Sequence, residues 1–122
     1  MIEKPEVETV EREDHAVVYP HGYLNGSKGE QIDLACADLM RKGVNRIIIN
    51  FDYAETINTT GVASLLSLLE RVGRRKGVLC FCNLMSANRQ MLDVLDVSRA
   101  VLIFDDEEEA RRHLTERHAS AD

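Results

Sequence analysis

Two adjacent hydroxyls and a glycine, Thr59-Thr60-Gly61, stand where an apolar run gives way to a helical pattern. Upstream, the run from Arg46 to Phe51 is isoleucine-rich and too short for a helix, so it reads as a buried strand. Downstream, Val62, Leu65, Leu66, Leu69 and Val72 recur as one face of a helix. The pattern predicts a strand, then a loop that presents threonine at a helix start. The first N–H groups of a helix have no intrahelical acceptor, and that end carries a partial positive charge. Such an end suits a phosphate. Two readings of the threonines are open: a hydroxyl N-cap with a structural role, or an acceptor for reversible phosphorylation. Hydroxyl caps are common, so the residue pattern alone favours the cap.

The other reactive side chains form no known constellation. The three cysteines, Cys36, Cys80 and Cys82, are odd in number and lack the spacing of a disulfide framework. They read as reduced thiols of a cytoplasmic protein. Cys80 and Cys82 are two apart in an expected strand and should share its buried face. His15, His21, His113 and His118 match no metal-binding spacing and read as surface or edge residues. No Ser-His-Asp order, Walker loop or dinucleotide glycine fingerprint is present. No catalytic residue, metal ligand or cofactor is therefore assigned. Two rivals from other classes are kept. Asp52 follows the central strand, as a phosphoacceptor would in a two-component receiver. An enzyme would require Asp52, Glu55 and His21 to cluster near the threonine loop.

A chain of 122 residues suits one domain with a real core. The net charge of −6 and the absence of tryptophan argue against a nucleic-acid partner. No apolar run approaches the roughly 20 residues that cross a bilayer. The acidic stretch Met1 to Asp14 lacks an apolar signal core, so secretion is not expected.

In order, residues 1–5 read as a loose lead-in containing Pro5. Val7 to Arg12 and His15 to Tyr19 read as a hairpin, and Tyr23 to Gly26 as a loop. Ser27 to Glu30 matches a capping box with Ser27 as cap. The first helix carries Ile32, Ala35, Cys36 and Leu39 on one face and stops at Gly43. At the end of the threonine helix, the cations Arg74-Arg75-Lys76 complement its C-terminal dipole beside a glycine stop at Gly77. Val78 to Cys82 is a further strand. Ser86 is the expected cap of a short helix with Met91, Leu92 and Leu95 inward, and Met85 and Met91 read as packing residues. Ala100 to Phe104 is the last strand. Asp105 should cap a final helix with Glu107–Arg111 and Glu108–Arg112 pairs, frayed from Thr115 onward. The predicted class is α/β: a mixed, mainly parallel sheet of four to five strands with about four helices packed against it.

This order, together with several short segments, resembles the STAS domain of bacterial anti-sigma factor antagonists. Gly22-Tyr23-Leu24-Asn25 is similar to the family's Gly-x-Leu-Asp, and Asn58-Thr59-Thr60-Gly61 to its Asp-Ser-Ser/Thr-Gly. Gly77-Val78-Leu79 with Asn83-Leu84 looks like its G-x-L-x-L-x-N strand, and Asp106 to Ala110 resembles its closing helix. The resemblance implies a single STAS-like domain over 1–122, with an ordered core of about 6–115. It implies binding to a GHKL-type serine/threonine kinase anti-sigma factor, release on phosphorylation, and recovery by a PP2C-type phosphatase. By position the acceptor is Thr59. The implied partner-binding residues are Asn25, Asn58, Thr59, Thr60, Gly61 and Ser64, and a homodimer is admitted. Asn25, Asn50 and Asn58 stand where the family usually has Asp, which keeps hydrogen bonds but removes charge. The family also contains non-phosphorylated scaffolds and lipid-transporter accessory subunits, which remain the alternative.

Overall fold

The Ile47-Ile48-Ile49 run lies at the centre of a five-stranded sheet and is fully buried. A computed structural model describes residues 6–120, with side chains through residue 115; the expected lead-in and the side chain of His118 lie outside the described residues. The strands are β1 (Val7–Glu11), β2 (Ala16–Pro20), β3 (Gly22–Leu24), β4 (Arg46–Asn50), β5 (Ala54–Ile57), β6 (Val78–Cys82) and β7 (Leu102–Phe104). The helices are α1 (Gly26–Arg41), α2 (Thr59–Arg74), α3 (Ser86–Val94) and α4 (Glu107–Ser120).

The main sheet has the order β1-β2-β4-β6-β7. β1 pairs antiparallel with β2, as the hairpin reading requires, and every other pair is parallel. Mixed sheet and four helices are as expected. Both faces are covered, which is why the central strands read as continuous apolar runs. Successive side chains alternate between the faces. Val18, Ile47, Ile49 and Phe81 meet Ile32, Leu39, Leu65 and Leu92 in the larger core. Val17, Ile48, Cys80 and Cys82 form a second cluster with Ala110 and Leu114 of α4, so the two strand cysteines do share a face. Each fully buried aliphatic side chain contributes about 1.5–3 kcal/mol.

A second sheet was not visible in the sequence. β3 and β5 pair in parallel, where loops are expected at Tyr23 to Gly26 and before Thr59. Strands of 3 and 4 residues are too short to display a period.

Several local expectations are corrected. On α2 the buried stripe is Gly61, Val62, Leu65, Leu68 and Val72. Leu66 is exposed, because 100° per residue carries it off the face that Leu68 completes. α3 starts at Ser86 without a side-chain cap, the cap position being Met85. Met85 and Leu95 are exposed, while Leu92 is buried. The last strand is shortened to Leu102–Phe104 by a 3-10 turn at Val97–Arg99. Asp106, not Asp105, caps α4: its Oδ1 accepts the Glu109 N–H at 2.8 Å. Arg111 pairs with Glu108 rather than Glu107. The helix continues to Ser120, beyond the expected fraying point. Lys76, not Gly77, takes the left-handed conformation after α2, with φ of 61°. Gly77 is bare because a methyl there would stand 2.8 Å from Val72 Cγ1.

His15 is buried in the main hairpin, not at the surface. Its Nδ1 lies 2.8 Å from Asp14 Oδ1, and this bond holds the Asp14 carboxyl below its usual range. Glu107 is freed from helix pairing for a tertiary role. Its Oε1 accepts from Tyr19 Oη at 2.6 Å and from Asn50 Nδ2 at 2.9 Å. This latch ties the start of α4 to the ends of β2 and β4. Burial, with the Glu107 bond second, pushes the Tyr19 phenol upward.

Candidate functional site

The small parallel sheet sets up the site. β3 runs directly into α1 and β5 runs directly into α2, so parallel pairing delivers both helix starts to one edge. The junction is held by Asn58 N–H donating to the Leu24 carbonyl at 3.1 Å. Gly61 permits the approach: a methyl there would stand 2.3 Å from that same carbonyl oxygen. The glycine after the threonines is thus a packing requirement between helix and strand.

Both helices are capped by asparagine. Asn58 Oδ1 accepts the Gly61 N–H at 2.8 Å, and Asn25 Oδ1 accepts the Lys28 N–H at 2.9 Å. Ser27 and the threonines are therefore not the caps. Asn, Ser and Thr differ little as caps, and the chain direction imposed by the strands selects the residue. Neither helix has an acidic residue in its first turn. Two positive helix ends thus meet with no carboxylate in their opening turns.

The two threonines are not equivalent. Thr60 Oγ1 donates to Asn58 Oδ1 at 2.8 Å and accepts the Gly26 N–H at 3.0 Å, bridging the two helix starts. Thr59 is exposed, and its hydroxyl makes no hydrogen bond among the described residues. Ser64 lies one turn further along α2. Its Oγ donates to the Thr60 carbonyl at 3.1 Å, and its Cβ faces Gly29 of α1, where a methyl would stand 2.3 Å away. The structure thus gathers Asn58, Thr60 and Gly61 into one network that reaches the Gly26 N–H, keeps Asn25 beside it as the cap of α1, leaves Thr59 open, and turns Ser64 towards α1.

Beside Thr59 lies a shallow depression lined by Ala87, Gln90, Met91, Val94 and Leu95. Val94 of α3 is 83% exposed and Met85, at its cap position, 51%. Asn88, a buried residue of α3, was missed by sequence reasoning. It is 2% exposed, and its Oδ1 accepts the Ile57 N–H at 3.1 Å while its Nδ2 donates to the Glu55 carbonyl at 2.8 Å. Asn88 thereby fastens the strand leading to Thr59 to α3, and no local spacing signals it.

Asn50 is remote from this network and belongs to the Glu107 latch. Asp52 sits in the following turn, its N–H held by Asn50 Oδ1 at 2.9 Å. His21 and Glu55 line one cavity, whose lining does not include Asp52. Among the described residues no group of histidine, cysteine and acidic side chains is arranged to hold a metal. Among the same residues no helix is long and apolar enough to cross a membrane.

The STAS domain model matches residues 6–110, and the chain belongs to the STAS domain family. Membership displaces the receiver reading at Asp52. No curated protein matches the sequence. Among solved structures, the Thermotoga maritima protein TM1081 is similar at 18% identity, covering 89% of this chain and 94% of that one, with a TM-score of 0.81. The anti-sigma factor antagonist SpoIIAA of Bacillus, in its unphosphorylated form, is 19% identical over 90% of this chain and 97% of that one, TM-score 0.68. A sulfate transporter family protein from Wolinella succinogenes is 15% identical over 81% of this chain and 83% of that one, TM-score 0.73. At these identities the likeness concerns the fold.

Proposed function

We propose that this chain is an anti-sigma factor antagonist that binds a GHKL-type serine/threonine kinase anti-sigma factor and is released by phosphorylation of Thr59. The similarity in fold to SpoIIAA, which is known in unphosphorylated and phosphorylated forms, supports the reading. The observation that carries it is the contrast between the threonines: Thr60 is bonded on both sides, whereas Thr59 presents a free hydroxyl at a helix start. The partner would cover Thr59 together with the exposed apolar residues of α3.

Phosphorylation adds about −1.5 to −2 charges. The adjoining helix ends, with amide caps and no acidic first turn, would accept that charge without refolding. A partner seated over it would have to desolvate a dianion, at a cost of several kcal/mol without compensating cations. Each ~1.4 kcal/mol is tenfold in affinity, so the complex is lost at the interface. The chain acts as a binding switch, not a catalyst, and a PP2C-type phosphatase would restore binding.

The test is affinity capture from the native cytosol with the wild type, Thr59→Ala and Thr59→Glu. The first two should hold an ATPase-fold kinase and the third should not. With the captured kinase and ATP, phosphate should map to Thr59 by mass spectrometry. Equal retention by Thr59→Glu, or label on another residue, would refute the reading and favour a scaffold or transporter-associated STAS role.

A further inference from the structure

We propose that the cavity between β3, β5 and α1 binds the zwitterionic head of an α-amino acid with an apolar side chain. This site stands apart from Thr59 and does not rest on the proposed switch. Its floor is the Lys28 ammonium. That side chain is only 9% exposed, and the nearest carboxylate oxygen, Glu6 Oε1, is 3.9 Å away, beyond hydrogen-bond range. Nζ donates to the His21 carbonyl. An ammonium has three N–H groups, so two remain for an occupant. A buried charge with unfilled hydrogen-bonding capacity is costly, and a ligand carboxylate would fill it.

Glu55 supplies the opposite charge, and its carboxylate has no ion pair among the described residues. Gly22 lies between them. A methyl on Gly22 would be 3.8 Å from Glu55 Oε2 and 4.0 Å from Lys28 Nζ. The φ of +78° at Gly22 keeps this spot bare. A ligand lying over it has an anion and a cation within reach of one point. An α-amino acid carries its ammonium and carboxylate on a single carbon, which matches that placement. A phosphate or dicarboxylate would bring excess negative charge against Glu6 and Glu55. The side chain would rest on Tyr23 and Tyr53, each about half exposed, with Tyr53 stacked on His21 at 4.9 Å.

Calorimetric titration of the full chain with L-phenylalanine tests the site, with phenethylamine and 3-phenylpropionate as the amine-only and acid-only analogues. L-Phenylalanine should bind at up to millimolar concentration, and each analogue about tenfold more weakly, the loss of one ~1.4 kcal/mol pairing. Glu55→Gln, at an exposed position, should weaken binding by the same factor without altering the melting temperature. Lys28→Met should abolish it in protein that still unfolds cooperatively. Absence of binding by L-phenylalanine, either analogue binding equally well, or unchanged affinity in Glu55→Gln would overturn the proposal.

Discussion

Replacing Gly61 by alanine tests the contact that sets the start of α2. In a free helix the change is favourable, because alanine exceeds glycine by about 1 kcal/mol. In the folded chain the new methyl would stand 2.3 Å from the Leu24 carbonyl oxygen and 2.8 Å from Leu24 Cδ2. Ordinary carbon–oxygen contact begins near ~3.3 Å, so the overlap is about 1 Å. The Leu24 carbonyl cannot swing aside, since it accepts the Asn58 N–H at 3.1 Å and lies in the β3–β5 pair. Overpacking costs about 1–3 kcal/mol, and a rigid backbone neighbour places this case in the upper half. Set against the helix gain, the net loss is about 1–2 kcal/mol. For a chain of this size that lowers the melting temperature by roughly 3–10 °C. Thermal and urea unfolding followed by circular dichroism measure it, with an unchanged m-value marking a native-state effect. A melting temperature equal to or above that of the wild type would show that α2 does not abut β3, and the whole construction of the site would fail with it.

Two further outcomes follow from buried groups. Asn50→Asp would set a carboxylate where Asn50 Nδ2 now donates to Glu107 at 2.9 Å; we expect a loss of about 1–3 kcal/mol at neutral pH, shrinking in urea titrations below about pH 5 as the like-charged pair takes up a proton. Burial, with Asp33 and Glu107 as the respective second causes, pushes the thiols of Cys36 and Cys82 up to about 12 from an ordinary 9.0. The native state then keeps protons that the unfolded chain releases, so stability is full below pH 9 and declines as pH rises towards 12. Urea midpoints across that range should fall accordingly, and a thiol reagent at pH 8 should label no cysteine until denaturant exposes all three.

Much of the architecture is legible in short windows. The Ile47-Ile48-Ile49 run, the paired cysteines of β6 and the antiparallel opening hairpin each declare themselves by period or by turn residues. The helix caps do not. Ser27, Thr59 and Thr60 are as eligible as Asn25 and Asn58 by residue type, and the structure chose the asparagines because β3 and β5 fix where each helix may begin. Asn88 and Glu107 were illegible for a related reason: their partners lie 31 to 88 positions away.

By itself the chain's sequence determined the α/β class, a helix opening around the threonine pair and its place in the STAS family. Those rest on hydrophobic period and on short segments whose meaning is local. Tertiary structure alone decided which threonine is free. Thr59 and Thr60 are adjacent and chemically identical; the Asn58 cap and the arrival of Gly26 beside α2 engage the Thr60 hydroxyl from two sides and leave that of Thr59 open. It also decided that Asn50 holds α4 and that Lys28 lies under a cavity, since both depend on strands pairing across the chain.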